Sequence, residues 1–380
     1  MLNVIHRSCK KIPTAEFLPT KRSGSTCTNL NYAFLNDKIH HAYLLTGIRG
    51  IGKTTTARII AKTLNCSNLK VDSNTLTPCE ECSNCRSIKN GSHPDILEFD
   101  AASHTGIDDI KSMLEGISYS PAIGKHRVFI VDEVHMLSTK AFNSLLKTLE
   151  EPPSNVVFIF ATTELHKVPV TILSRCQKFS LAPLSIEEMS KHLQSVADAE
   201  GLKISQDAIR LVASKSGGSV RDALSILDQS SMRANRNEIT PNIIQDMLGI
   251  VSQDDIQKLY TSTLSGDATS VIKALQEIMA QGVSEVSLLE ETLECIYSQI
   301  HSKVQSGEPY SNLLRLWNIL LPSTQELSYA FNKAAALEII FLKAMHIHAM
   351  PSVENLVHSI SENKIAEILA QFPNAQIERA

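Results

Sequence analysis

Residues 47–54 read Gly-Ile-Arg-Gly-Ile-Gly-Lys-Thr. The spacing G-x-x-x-x-G-K-[ST] belongs to loops whose backbone curls until several N–H groups face one point. An apolar run, Tyr43–Thr46, precedes the loop, and a helical pattern from Lys53 follows it. That context separates a phosphate-binding loop from an ordinary glycine-rich turn, because the helix N-terminus adds positive potential where the N–H groups point. Gly47, Gly50 and Gly52 would permit the curl, and Lys53 would reach the β- and γ-phosphates. Thr54 would bind Mg²⁺ through its hydroxyl, with Thr55 completing the binding set. The expected ligand is a nucleoside triphosphate with magnesium.

A second apolar run, Val128-Phe-Ile-Val, delivers Asp132 and Glu133. Ligands collect at the carboxyl ends of strands in open parallel sheets. Asp132 is therefore expected to hold Mg²⁺, directly or through water, and Glu133 to orient and polarise an attacking water. The plainer reading is surface charge at a strand end. Thr162 and Thr163 close another apolar run, where a polar group can sense a phosphate. Arg175, within Ser174-Arg175-Cys176, and Arg221, opening a helical segment, can stabilise charge on a transferred phosphoryl group. Spacing alone favours surface or salt-bridge roles for both arginines.

Cys66, Cys79, Cys82 and Cys85 form a cluster, whereas Cys9, Cys27, Cys176 and Cys295 are scattered. Four thiolates suit a closed tetrahedral zinc site, which is structural because no coordination position stays open. Free thiols and a DNA-reading finger are the alternatives. The spacing is unusual for a finger and suits an insertion pinned to the phosphate-loop domain. Residues 1–30 lack the apolar core of a secretory signal. The expected compartment is a reducing cytosol, where clustered cysteines bind metal rather than pair.

The elements that must carry these groups follow from hydrophobic periodicity. Strands are expected at Tyr43–Thr46, Asp95–Phe99, Arg127–Val131, Asn155–Ala161 and Gln177–Leu181, with helices at Lys53–Leu64, Gly106–Gly116 and Thr139–Glu151. In the last of these, Phe142, Leu145, Leu146 and Leu149 share one face, and Pro152-Pro153 stops the helix. The alternation predicts an α/β fold with a parallel sheet covered on both faces. After Pro183 only helical signals occur, among them Ser185 with Glu188 and Ser219 with Asp222, both read as capping boxes. The expected organisation is a basic, weakly patterned segment 1–30, an α/β domain 31–182 with a cysteine module 66–85, helical domains 183–242 and 243–350, and a weakly patterned tail 351–380. Of the 380 residues, 43% are apolar and 20% charged, typical of a globular protein with a real core. No run of 18 uncharged apolar residues exists, so no membrane span is expected. The net charge of -4 means that any nucleic-acid contact must come from a local patch.

With these residues assigned, the chain resembles the gamma/tau subunit family of bacterial DNA polymerase III, the AAA+ ATPase of the sliding-clamp loader. The segments HHAYLLTGIRGIGKTTTARIIAKTLNC, CEECSNC, PDILEFDAASHTGIDDI, FIVDEVHMLSTKAFNSLLKTLEEPP, FIFATTELHKVPVTILSRCQKFSL and GGSVRDALSILDQ carry the resemblance, from about residue 31 to 232. It implies a P-loop AAA+ domain with a zinc-binding insertion, a helical lid, and a helical oligomerisation collar over 243–350. It assigns Thr163 to sensor 1, Arg221 to sensor 2, and Arg175 to a finger acting in trans on a neighbouring subunit's ATP. Lys147 becomes a candidate contact to the DNA backbone, or a partner of Glu150 and Glu151. The implied cofactors are ATP, Mg²⁺ and a structural Zn²⁺. The implied partners are delta, delta-prime and further gamma/tau copies, the sliding clamp and primer–template DNA, in the bacterial cytoplasm. Residues 1–30 do not show the family's ARKYRPxxF…VGQ segment, which folds over the adenine base, and this weakens the expected hold on nucleotide. His104 and Gly106 stand where some relatives carry basic residues. Without the long tail of tau forms, a short, gamma-like product is expected. Another AAA+ DNA-remodelling motor, such as a branch-migration helicase, and a catalytically impaired scaffold subunit are the alternatives.

Overall fold

A computed structural model of the chain describes residues 38–72, 75–103, 113–235 and 237–349. The expectations for residues 1–30 and 351–380, for His104, and for residues 106–112 of the Gly106–Gly116 helix lie outside the described residues. The chain divides into two compact units, with the boundary along the sequence between Ile244 and Gln245.

The strands of the first unit are β1 (Ala42–Thr46), β2 (Lys70–Asp72), β3 (Thr75–Thr77), β4 (Ile96–Asp100), β5 (Arg127–Asp132), β6 (Val156–Thr162) and β7 (Gln177–Ser180). Its helices are α1 (Lys53–Asn65), α2 (Ser83–Asn90), α3 (Thr139–Glu150), α4 (Val170–Leu173), α5 (Ile186–Glu200), α6 (Gln206–Lys215) and α7 (Val220–Ala234). Five strands form one sheet in the order β4-β5-β6-β1-β7, with every pairing parallel. Successive side chains point to opposite faces. Leu44, Phe129, Val131, Phe158 and Phe160 therefore pack with Ala141, Phe142, Leu145 and Leu149 of α3. Tyr43, Leu45, Val128, Ile130, Val157 and Ile159 pack with Ala57, Ile60, Ala61 and Leu64 of α1. Covering both faces explains why β6 is buried along its whole length and reads as an unbroken apolar run. The Phe129 and Phe158 rings stack at 5.4 Å, and burial of each contributes about 1.5–3 kcal/mol.

The antiparallel β2–β3 hairpin is a finding the sequence did not predict. Strands of three residues are too short to show a period.

Beyond the sheet, α5, α6 and α7 bury Met189, Leu193, Val196, Ile209, Val212, Ala223 and Leu227. Ser185 and Glu188 make both halves of the expected capping box on α5. The second box is corrected. The Ser219 hydroxyl accepts from the Asp222 N–H, but the Ser219 N–H donates to the Ser216 carbonyl at 2.9 Å instead of to Asp222. Aspartate is one methylene shorter than the glutamate that normally reaches back.

The second unit is helical: α9 (Gln253–Ser265), α10 (Ala268–Ala280), α11 (Glu285–Ser306), α12 (Ser311–Tyr329) and α13 (Lys333–Ala349), entered through α8 (Pro241–Leu248). Leu259, Leu275, Leu288, Leu289, Leu316, Leu320, Leu337 and Phe341 form its core. Among the described residues no helix is long and apolar enough to cross a membrane.

The segment that feeds β5 is fixed by two buried polar side chains. The Asp95 carboxylate accepts the N–H groups of Ala122, Ile123 and Gly124 at 2.7, 2.8 and 2.7 Å. Asn65, the last residue of α1, accepts the N–H groups of Lys125 and His126 and donates to the His126 carbonyl. Burial alone would raise the Asp95 pKa, but the three N–H donors and nearby His93 outweigh it and hold the carboxyl below its ordinary value. Because the folded-state value is the lower one, the Asp95 contribution is complete above about pH 4, where the unfolded carboxyl ionises, and fades as pH falls through the folded value. Asp95→Asn is expected to cost about 1–3 kcal/mol at neutral pH. Denaturant titrations should show that cost shrinking as pH falls below the unfolded carboxyl value. A cost independent of pH would rule out the charged acceptor.

Candidate nucleotide site and cysteine cluster

The loop between β1 and α1 occupies the carboxyl edge of the sheet. Gly50 and Gly52 hold left-handed backbone, with φ of 77° and 100°, which glycine adopts without strain. Gly52 is the N-cap of α1 and has no side chain to bond the helix's first N–H groups; no acidic residue lies in that first turn. The positive end of the helix is thus left for an external anion. Lys53 is 5% exposed, and its Nζ donates to the carbonyls of Gly47 and Ile48, both at 3.1 Å. Burial pushes the Lys53 pKa down, while the Glu133 and Asp132 carboxylates pull it partly back up. Thr55 lines a small cavity with Ile51, Gly52, Leu181, Ala182, Leu184 and Val220.

Two further strand ends converge here. The Thr54 hydroxyl donates to Asp132 Oδ2, joining the start of α1 to the end of β5. Asp132 Oδ1 accepts the Glu133 N–H at 2.9 Å, and Glu133 itself has left-handed backbone, with φ of 47°. Past the end of β6, Thr163 donates to Glu133 Oε2 through its hydroxyl at 3.1 Å and its N–H at 3.3 Å. Lys53, Thr54, Asp132, Glu133 and Thr163 are thus brought together. Their oxygen donors suit Mg²⁺, which takes one or two protein ligands and completes its shell with phosphate and water.

Arg221 reaches the loop through its backbone. Its N–H donates to the Gly50 carbonyl at 3.1 Å, so α7 seats its first turn on the phosphate loop. A Cβ at Gly50 would lie 2.2 Å from Ser219 Oγ and 2.9 Å from Arg221 Cβ. Arg175 is not part of this group. It bonds Glu150 at 2.8 Å and the Thr171 carbonyl at 2.8 Å. Glu150, one of the two acids the sequence offered to Lys147, therefore belongs to Arg175. Lys147 is exposed and has no ion pair among the described residues. The sequence reading missed His135, which is buried beside Glu133 and Thr162. Its position two residues after Glu133 was the available signal.

The four clustered cysteines converge. Their Sγ atoms all lie within 4.8 Å of one another. Zn–S bonds of about 2.3 Å in a tetrahedron place sulfurs about 3.8 Å apart, so the donor set and its size fit one zinc ion. Backbone N–H groups of Cys79, Cys82 and Cys85 point at the sulfurs of Cys66, Cys79 and Cys82, as suits thiolates. Burial opposes the charge on Cys82, yet the N–H donors of Cys85 and Ser67 bring its pKa down to about 6. Cys66 caps the C-terminus of α1, and Cys82 caps the N-terminus of α2. Lys62, 3% exposed, pairs with both oxygens of Glu80, and Asn84 bonds the Asn65 carbonyl. The module is therefore bolted to the far end of the helix that starts at Lys53, roughly 20 Å from the phosphate loop.

Three sequence families match the chain in order: "DNA polymerase III, delta subunit" over residues 23–185, "DNA polymerase III clamp loader subunit, ATPase lid domain" over 188–234, and "DNA polymerase III subunits gamma and tau domain III" over 239–309 and 299–360. The gamma subunit of DNA polymerase III from Buchnera aphidicola subsp. Baizongia pistaciae is 33% identical over 85% of this chain and 92% of its own length. The chain belongs to the DNA polymerase III gamma/tau family. The tau subunits of Escherichia coli and Bacillus subtilis are 36% and 41% identical over 88% and 70% of the chain. The chain spans about half the length of these tau relatives, 55% and 46%. Among solved structures, the Thermotoga maritima RuvB Holliday junction branch migration motor superposes with a TM-score of 0.46, at 19% identity over 65% of this chain and 76% of that one. A likeness that distant has no bearing on function. The family match begins at residue 23, earlier than the resemblance at residue 31.

Gly50→Ala should destabilise the first unit by about 1–3 kcal/mol through the clash with Ser219. Ser219→Ala in the same chain should recover at most part of this, because the left-handed backbone still disfavours alanine, the Arg221 Cβ still lies 2.9 Å away and the α7 cap is lost. Thermal denaturation of the single and double variants measures both terms.

Proposed function

We propose that this gamma/tau-family chain is the ATP-hydrolysing motor of a DNA polymerase III clamp loader, opening the sliding clamp on ATP binding and releasing it on primed DNA. One observation carries the reading. An uncapped helix N-terminus, a buried lysine, the Thr54–Asp132 pair and a Glu133 gripped by Thr163 share one sheet edge. The loop N–H groups around Gly47, Gly50 and Gly52 would cradle the phosphates. Lys53 would exchange the carbonyls of Gly47 and Ile48 for β- and γ-phosphate oxygens. Thr54 and Asp132 would hold Mg²⁺, which neutralises charge across those phosphates. Glu133 orients and polarises the attacking water, and Thr163 reports the γ-phosphate to it. Arg221, seated on Gly50, couples the lid to nucleotide occupancy.

Arg175 acts in trans on a neighbouring subunit's nucleotide. Its pair with Glu150 is partly exposed, and exposed pairs contribute only about 0–1 kcal/mol, so the arginine is readily released. The partners on this reading are delta, delta-prime and further gamma/tau copies, the clamp, and primer–template DNA, in the bacterial cytoplasm. Lys147 contacts the DNA backbone, which makes binding salt-sensitive. Cys66, Cys79, Cys82 and Cys85 hold a structural Zn²⁺. Such ions contribute apparent binding energies of about 10–16 kcal/mol in small modules.

Steady-state hydrolysis by the chain with its partner subunits should rise strongly when clamp and primed DNA are both present. Lys53→Ala should reduce it to background. Arg175→Ala should lower the rate by about 10³-fold or more with nucleotide binding retained. An unchanged rate would remove the trans role. Elemental analysis should find about one zinc per chain, and none in Cys82→Ser.

A further inference from the structure

One buried titratable side chain beside this centre has no role in the account above. His135 lies on the short 3-10 turn Val134–Met136, and its side chain is 6% exposed. Its Nδ1 stands 2.9 Å from Thr162 Oγ1 and 3.4 Å from Glu133 Oε2, while its Nε2 stands 3.4 Å from Glu164 Oε1. The ring therefore bridges two carboxylates carried by different elements. The Thr162 hydroxyl is fully buried and accepts the Glu164 N–H at 3.0 Å. Its own proton is thus free for Nδ1, which leaves Nε2–H to face Glu164. The other tautomer turns Nδ1–H toward Thr162 and Glu133. A neutral ring therefore donates to one carboxylate at a time; with N–H on both nitrogens it donates to Glu133 and Glu164 together, and Lys167 fixes Glu164 in turn at 2.9 Å.

The consequence falls on Glu133. Its Oε2 meets the Thr163 hydroxyl, the Thr163 N–H and the His135 ring. Its Oε1 has no partner among the described residues and is the oxygen left to meet water. A glutamate has three rotatable side-chain bonds, and a catalytic group must be held within about 0.5 Å of its productive position. Thr163 alone grips one oxygen from one direction. We propose that His135 is a positioning residue for hydrolysis, orienting Glu133 by bridging it to Thr162 and Glu164. The inference rests on the ATPase reading above.

The test uses the full chain with partner subunits, clamp and primed DNA, and follows kcat, equilibrium affinity for Mg-ATP and melting temperature. His135→Ala should lower kcat roughly 10–100-fold and leave nucleotide affinity within about threefold of the parent. His135→Asn can place an amide where Nδ1 stands and should recover much of the rate. Glu164→Gln should lower the rate in the parent chain and add little in the His135→Ala background, since the two act through one contact. A packing role alone would move affinity and melting temperature with the rate and would show no recovery by asparagine. A kcat within about twofold of the parent for His135→Ala, or an asparagine variant no faster than alanine, overturns the inference. A parent chain that binds Mg-ATP but never hydrolyses it overturns the motor reading and this inference together. Parent hydrolysis with an indifferent His135 overturns the inference alone.

Discussion

Parallel hydrogen bonding of β1 between β6 and β7 is the constraint on which the site depends. Thr46 pairs with Thr162 on one side and with Ser180 on the other, and β5 lies next to β6. Parallel strands finish at the same edge, so the turn at Gly47, the carboxylate of Asp132 and the hydroxyl of Thr163 emerge side by side. A slip of one residue would turn each strand's side chains over. Leu45 and Ile159 would then exchange faces with Leu44 and Phe160, against helices shaped for the opposite set. Packing thus enforces the register, and the register aligns the chemistry.

Helix α1 extends this order along its own axis. Its first turn offers bare N–H groups with Lys53 and Thr54, and its middle buries Ala57, Ile60, Ala61 and Leu64 against the sheet. Its last turn holds Lys62, Asn65 and, at the cap, Cys66. A lysine as buried as Lys62 is tolerable because both oxygens of Glu80 meet it. Asn65 ties the same turn to the segment leading into β5. The proposed zinc module, the phosphate loop and the strand that delivers Glu133 are therefore braced by one rigid rod. On the proposed function, the module's part is to stiffen that rod rather than to take part in chemistry.

Much of the first unit was legible because its signals are local. The loop at residues 47–54 shows itself through glycines that must adopt particular backbone angles. The five sheet strands show themselves as apolar runs, and α3 as a face repeating every three to four residues. The capping box at Ser185 and Glu188 is a contact across a single turn. Where the reading failed, the contact was distant or the element too short. The β2–β3 hairpin has too few residues for a period. Asp222 resembles a capping partner in the sequence but is a methylene too short in space. Glu150 stands three residues from Lys147, an ordinary helical spacing for a pair, yet it bonds Arg175 from another element.

The amino-acid order by itself determined where most of the strands and helices form, where the loop at residues 47–54 curls, and that three cysteines lie three residues apart with a fourth thirteen residues before them. Those outcomes follow from backbone angles, side-chain periodicity and close spacing, which neighbours along the chain decide. Only the tertiary structure decided that Thr163 and His135 share one oxygen of Glu133, that α7 rests on Gly50, and that Asp95 gathers three amides of a distant segment. Apart from His135 and Glu133, which are near neighbours turned together by a short helical turn, these contacts join residues from about 30 to more than 100 positions apart. Their geometry is set by how the sheet and helices pack, and no local pattern encodes it.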